Sequence, residues 1–313
     1  MSFSTRLNCN TLDVFTTNLF EGNQLGLVHI PHGQPLTQAQ KQAIAVEYNY
    51  SETVFLHDRS PNAASATYDA QIFTPKSELP FAGHPTIGTA VWIFENLETN
   101  NDEITINLKA GAVTARFDRA SGIAIAEIPQ ALNIHKDTIP WERVAAVQPS
   151  LFKASAEVKR SATPISSIVK GMNFALINLT AQPDLLSTIV VTKDTIPRAS
   201  DLDPDSDPNL LGNVFYFIRP DTGDDITRIQ QRMMAIELED PATGSASAAL
   251  TGYLALQKGQ AGIHKFEIDQ GVEMGRASKI FVDITVGKYG KEIDKIELKG
   301  QAIEVMKGTL RIM

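Results

Sequence analysis

The feature that most constrains this chain is a short pattern that occurs twice. His84-Pro85-Thr86-Ile87-Gly88-Thr89-Ala90 is answered, 156 positions on, by Asp240-Pro241-Ala242-Thr243-Gly244-Ser245-Ala246. Both copies read as a polar residue, Pro, two residues, Gly, a hydroxyl residue and Ala, and 156 is half of the 313-residue length. Each copy opens an apolar run, 86–98 and 243–258. Proline is tolerated in the first turn of a helix, where its missing N–H would have no partner anyway. The pattern therefore predicts helices starting at Thr86 and Thr243, with His84 and Asp240 as their N-caps. Lys109-Ala110-Gly111 follows the first helix and Asp269-Gln270-Gly271 the second, now 160 positions apart. A period this long means two similar domains, not a solenoid of short repeats.

The bulk properties fit two soluble domains. A length of 313 residues exceeds what one core usually supports. The division predicted is 1–130 and 131–298, with the final strand, 299–313, open to returning to the first domain. The stretch 129–164 carries Pro129, Pro140, Pro149 and Pro164 and reads as the inter-domain region. The net charge of −8, with no basic cluster denser than Lys159-Arg160, argues against a nucleic-acid surface and, more mildly, against anionic membranes. The N-terminal residues lack the apolar stretch of a signal peptide, and no segment is apolar enough to span a membrane. Cys9 is the only cysteine, so no intrachain disulfide forms. Cytoplasm is the compartment expected.

Strands alternate with few helices. Strands are expected at 12–15, 26–30, 53–56 and 66–73, with a hairpin at 103–108 and 112–117. Residues 37–49 read as an amphipathic helix capped by Thr37. The second half repeats the plan and closes with strands near 280–286, 294–298, 302–306 and 308–312. The acidic run 201–208 does not match an EF-hand loop, which needs Gly at its sixth position and Glu at its twelfth; Ser206 and Gly212 stand there. It reads as a solvated loop. Neither a metal-ligand spacing nor a phosphate-loop or dinucleotide motif occurs, so no metal and no cofactor are expected.

The chemistry then falls to side chains. A helix N-terminus offers unpaired N–H donors and positive potential, which suits a small carboxylate. Gly88 and Gly244 would let a ligand near the backbone, and Thr89 and Ser245 would add hydroxyls. His84 and Asp240, read as equivalent positions of the two copies, would face each other across a shared cleft and transfer protons.

The segments FAGHPTIGTA (81–90), EDPATGSASAAL (239–250), NYSETVFL (49–56) and QGVEMGRAS (270–278) resemble the PhzF family of phenazine-biosynthesis proteins. The resemblance covers almost the whole chain in order. It implies an α+β, diaminopimelate epimerase-like fold: two pseudo-equivalent domains, each a mixed β-sheet wrapped around a central helix, with the active site in the cleft between. It also implies a cofactor-free isomerisation of trans-2,3-dihydro-3-hydroxyanthranilate or a similar small carboxylic acid. On the family motifs, Glu52, His84 and Asp240 are catalytic, while Ser51, Gly83, Gly244 and Ser245 join Gly88 and Thr89 in holding substrate. A homodimer is common in the family.

Epimerases of this fold use a thiol on each side of the cleft. Here His84 and Asp240 stand instead, and Cys9 is remote from both motifs, so two-thiol racemisation is excluded. Two alternatives stay open: a member that keeps the fold but only binds a ligand or protein, and a racemase with non-thiol bases. Asn23-Gln24 replaces the family's usual Asn-Pro, and Ile236-Glu237 shortens the approach to Asp240. Val272 to Arg276 reads as a scaffold strand.

Overall fold

A computed structural model describes residues 5–59, 66–98 and 100–312. The chain divides into two compact units, Met1–Ile128 with Leu298–Met313, and Pro129–Glu297.

The first unit begins with β1 (Thr5–Val14), β2 (Asn23–Ile30), α1 (Gln38–Tyr48), β3 (Glu52–His57), β4 (Thr67–Phe73) and the short β5 (Glu78–Leu79). It continues with α2 (Gly83–Asn96), β6 (Glu103–Leu108), β7 (Gly111–Asp118) and β8 (Ile123–Glu127). The second unit holds β9 (Asn133–Ile139), α3 (Trp141–Val147), α4 (Ala156–Arg160), β10 (Thr163–Ser167), β11 (Met172–Asn178) and β12 (Leu210–Ile218). After these come β13 (Ile226–Ala235), β14 (Leu238–Asp240), α5 (Gly244–Lys258), β15 (Gly262–Gln270), β16 (Ser278–Val286) and β17 (Ile293–Gly300). β18 (Ala302–Ile312) then pairs antiparallel with β1, in the first unit.

The two units repeat one topology. In the first, β18, β1 and β2 are antiparallel, β3 lies parallel to β2, β4 antiparallel to β3, and β6 parallel to β4. In the second, β9, β10 and β11 are antiparallel, β12 lies parallel to β11, β13 antiparallel to β12, and β15 parallel to β13. Each unit is thus a mixed sheet with one long helix inserted before its second parallel pair. α2 is apolar nearly all round and buried on almost every face, which is what a central helix requires. α5 is similar, with Gly244 and Ala246 through Gly252 buried.

Local chemistry explains the other elements. α1 starts at a capping box between Thr37 and Gln40 and ends at Asn49 in the left-handed conformation. The stretch 129–164 is not a linker. Pro140 is the N-cap of α3, Pro149 opens a 3-10 turn, and Pro164 lies within β10. Proline fits at helix starts because no N–H partner is needed there, so three of the four prolines here mark folded elements. The run 201–208 is likewise tied down: Arg143 grips Asp201 through both guanidinium ends at 2.6 and 2.7 Å. Val272–Met274 forms a 3-10 turn instead of the strand expected. No helix among the described residues is long and apolar enough to cross a membrane.

The register of the duplication differs from that of the sequence pattern. α2 begins at Gly83 after Ala82, and α5 at Gly244 after Thr243. The copies therefore superpose at an offset of 161, close to the 160 of the Gly111 and Gly271 pair. His84 is the second residue of its helix, and its counterpart is Ser245. Asp240 lies ahead of its helix, at the end of β14. Neither His84 nor Asp240 is an N-cap, and they are not equivalent.

Candidate active site

In the first unit, β3 opens with Glu52, and its carboxylate Oε2 lies 3.5 Å from Nδ1 of His84. Asn23, the first residue of β2, places its amide nitrogen 3.5 Å from the same Nδ1 and accepts the Ser51 hydroxyl at 3.3 Å. Both contacts to Nδ1 are at the long limit of hydrogen bonding. They demand opposite tautomers: Glu52 needs a proton on Nδ1, and the Asn23 N–H needs a lone pair there. Glu52 is half-buried, with 16% of its side chain exposed, whereas His84 is buried. Desolvation pushes the His84 pKa down to about 3, only partly opposed by a hydrogen bond with the Gln24 backbone. The imidazole is therefore neutral at pH 7. Its Nε2 is buried with no partner among the described residues.

Gly83 heads α2, and no side chain caps this helix. Gly88 and Thr89 sit elsewhere than expected. A Cβ on Gly88 would stand 2.7 Å from Leu25 and from Val14, so this glycine seats the helix on β1 and β2 instead of opening a path to ligand. Thr89 is 1% exposed and lies beyond the first turn, inside the unit.

In the second unit, β13 and β14 are joined by the two-residue turn Ile236-Glu237, with Glu237 left-handed. A buried bidentate pair of Arg232 and Glu239, at 2.7 Å twice, clamps this hairpin. Asp240 follows, half-buried, and its Oδ2 accepts the Thr243 hydroxyl at 2.6 Å. Thr243 is the N-cap of α5 yet does not cap it with its side chain. Gln270 holds the segment from behind: its amide donates to the Asp240 carbonyl and to the Thr243 hydroxyl, and accepts from the Thr243 N–H. Gln231 donates to Gln270 and to Ser247. Gly271, at φ +72°, has to be glycine: a Cβ would lie 2.4 Å from the Arg276 carbonyl and 2.6 Å from that of Pro241. Gly244 and Ser245 form the first turn of α5, with Gly244 buried and Ser245 half-buried.

Asn23, Thr243, Gln231 and Gln270 are absent from the sequence-based assignment. Gln270 was visible as part of the repeat, but its value lies in its hydrogen bonds to Asp240 and Thr243, which only the folded chain reveals. Among the described residues, no group of three or more His, Cys, Asp or Glu could hold a metal ion.

The family model for phenazine biosynthesis-like proteins, PhzC-PhzF, matches residues 12–308. An uncharacterised isomerase of Mesorhizobium japonicum is 32% identical over 310 residues, covering 96% of this chain and 97% of that protein. The trans-2,3-dihydro-3-hydroxyanthranilate isomerase of Pseudomonas aeruginosa is 26% identical, covering 95% and 96%. The crystal structure of a PhzF-family protein from Bacillus anthracis superposes with a TM-score of 0.77 over 98% of this chain and 100% of its own, at 20% identity, which speaks to the fold. The chain belongs to the PhzC-PhzF family of phenazine biosynthesis-like proteins, and it is an isomerase.

Proposed function

We propose that the reaction is a cofactor-independent proton transfer on a small cyclic or unsaturated carboxylic acid, of the trans-2,3-dihydro-3-hydroxyanthranilate type, with Glu52 as the shuttle. One observation carries this reading: a half-buried carboxylate stands 3.5 Å from a neutral, buried imidazole whose second nitrogen has no protein partner among the described residues. A carboxylate with restricted solvent can take a proton and return it within one turnover. The C–H electron pair left behind shifts along the unsaturated system, and Glu52 delivers the same proton to the carbon at its far end. No electrons are gained or lost, so no redox partner is needed.

His84 can hydrogen-bond to substrate without adding charge. Backbone N–H groups at Gly83, Gly244 and Ser245 are donors suited to a carboxylate. Asp240 enters the reaction through the family motif, as the group that balances charge. The relative acting on dihydrohydroxyanthranilate supports that substrate type.

The test is NMR-monitored turnover of trans-2,3-dihydro-3-hydroxyanthranilate and a panel of small cyclic carboxylic acids. Isomerisation of at least one, absent in the Glu52→Gln protein, is expected. Binding of panel members without turnover of any would favour a ligand-binding member instead.

A further inference from the structure

The two units share a topology, so the start of α5 has a counterpart at the start of α2. The parallel pairing that sets Ile226 opposite Lys265 sets Gln231 opposite Gln270. At the helix start, Thr243 corresponds to Ala82. The fold thus starts its first central helix after an alanine and its second after a threonine that is bonded to Gln270. Gln231 and Gln270 are both 0% exposed. Burying amides is costly unless they are bonded; the Gln231 carbonyl oxygen has no partner among the described residues, but the bonds the two amides do make have a direction. Gln231 donates to the oxygen of Gln270 at 2.7 Å, Gln270 donates to the Thr243 hydroxyl at 3.1 Å, and Thr243 donates to Asp240 at 2.6 Å. Because its lone pair takes the Gln270 proton, the Thr243 hydroxyl has its own proton aimed at the carboxylate. The same threonine forgoes capping α5, a role its side chain would ordinarily fill.

We infer that Gln231, Gln270 and Thr243 form a one-way donor chain whose task is to fix the Asp240 carboxylate in one orientation, which makes Thr243 and Gln270 positioning residues of the isomerisation. This rests on the reading of Asp240 as part of the reaction centre.

The experiment compares Asp240→Asn, Thr243→Val, Thr243→Ser, Gln270→Met and the Thr243→Val/Gln270→Met double variant, each first checked for folding by circular dichroism and melting. The kcat and KM are measured with trans-2,3-dihydro-3-hydroxyanthranilate. Thr243→Val should lower kcat by on the order of 10-fold, the worth of one hydrogen bond to a charged group, with KM changed far less, and Thr243→Ser should restore it. Gln270→Met should lower kcat in the same sense, and the double variant should be no slower than Thr243→Val, because both act through one chain. If Asp240→Asn is impaired while Thr243→Val keeps full kcat, or if Ser and Val behave alike, the inference fails and the role of Asp240 stands. Full kcat in Asp240→Asn would overturn both. Should Thr243→Val not fold, Gln270→Met against Asp240→Asn decides on the same terms.

Discussion

The starts of α2 and α5 are the same piece of architecture made in two ways. Before α2 stands Ala82, and the titratable group, His84, lies within the helix, desolvated and neutral. Before α5 stands Thr243, bonded to Gln270, and the titratable group, Asp240, lies on the strand before the helix, held by a hydroxyl. Desolvation keeps the histidine uncharged; a directed set of donors suits a carboxylate. Duplication supplied the frame, and divergence of a few inward-facing residues gave its halves different electrostatic jobs.

Breaking the clamp that holds the second half should have the largest effect. Arg232 and Glu239 are 8% and 9% exposed at their side chains, and Arg232 also donates to the carbonyls of Leu186 and Ile189. Arg232→Leu strands a buried carboxylate and should cost about 3–5 kcal/mol, read in denaturant unfolding. A loss below about 1 kcal/mol would mean that the hairpin carrying Asp240 is not rigidly held.

In the first half the largest effect should be on rate. Glu52→Gln should lower turnover by at least ~10²-fold, about 2.7 kcal/mol in barrier, with little change in melting temperature. Gly88→Ala tests whether α2 depends on close packing where α5 depends on hydrogen bonds. With contacts of 2.7 Å to two side chains, it should destabilise by about 1–3 kcal/mol, and an unchanged melting temperature would contradict the packing role.

The smallest effect is one of pH. The His84 pKa is lowered on folding from 6.5 to about 3, so below pH 6.5 the unfolded chain binds a proton that the folded chain refuses. The stability this histidine contributes is present above pH 6.5 and lost as pH falls towards 3, by about 1 kcal/mol at pH 5.5. His29, lowered to about 4 by burial, adds a similar slope. Unfolding curves from pH 7.5 to 5 should be flatter for His84→Gln than for the wild type. Equal slopes would show that His84 is not desolvated as described.

Much of this was legible in the sequence. The Thr37 cap, the 103–118 hairpin, the central helices and the existence of a duplication follow from local pattern. The register did not. The match of His84-Pro85 with Asp240-Pro241 arises because Pro, Gly and small hydroxyl residues suit many helix entries, and only the observed helix starts at Gly83 and Gly244 distinguish an offset of 156 from one of 161. The prolines of 129–164 misled for a related reason, since proline marks a helix start as readily as a linker. The Gln231–Gln270–Thr243 chain was hidden because its members lie on separate elements that only the folded chain brings together.

The central claim is that the Glu52 carboxylate moves the proton. Its most direct test is turnover of trans-2,3-dihydro-3-hydroxyanthranilate in D2O, with deuterium located in the product by NMR for the wild type and for Glu52→Gln. The account predicts isomerised product from the wild type, with any deuterium at the single carbon that receives the proton, and neither product nor label from Glu52→Gln at matched times. Product formed by Glu52→Gln at the wild-type rate, or label spread over carbons that take no part in the proton shift, would contradict it.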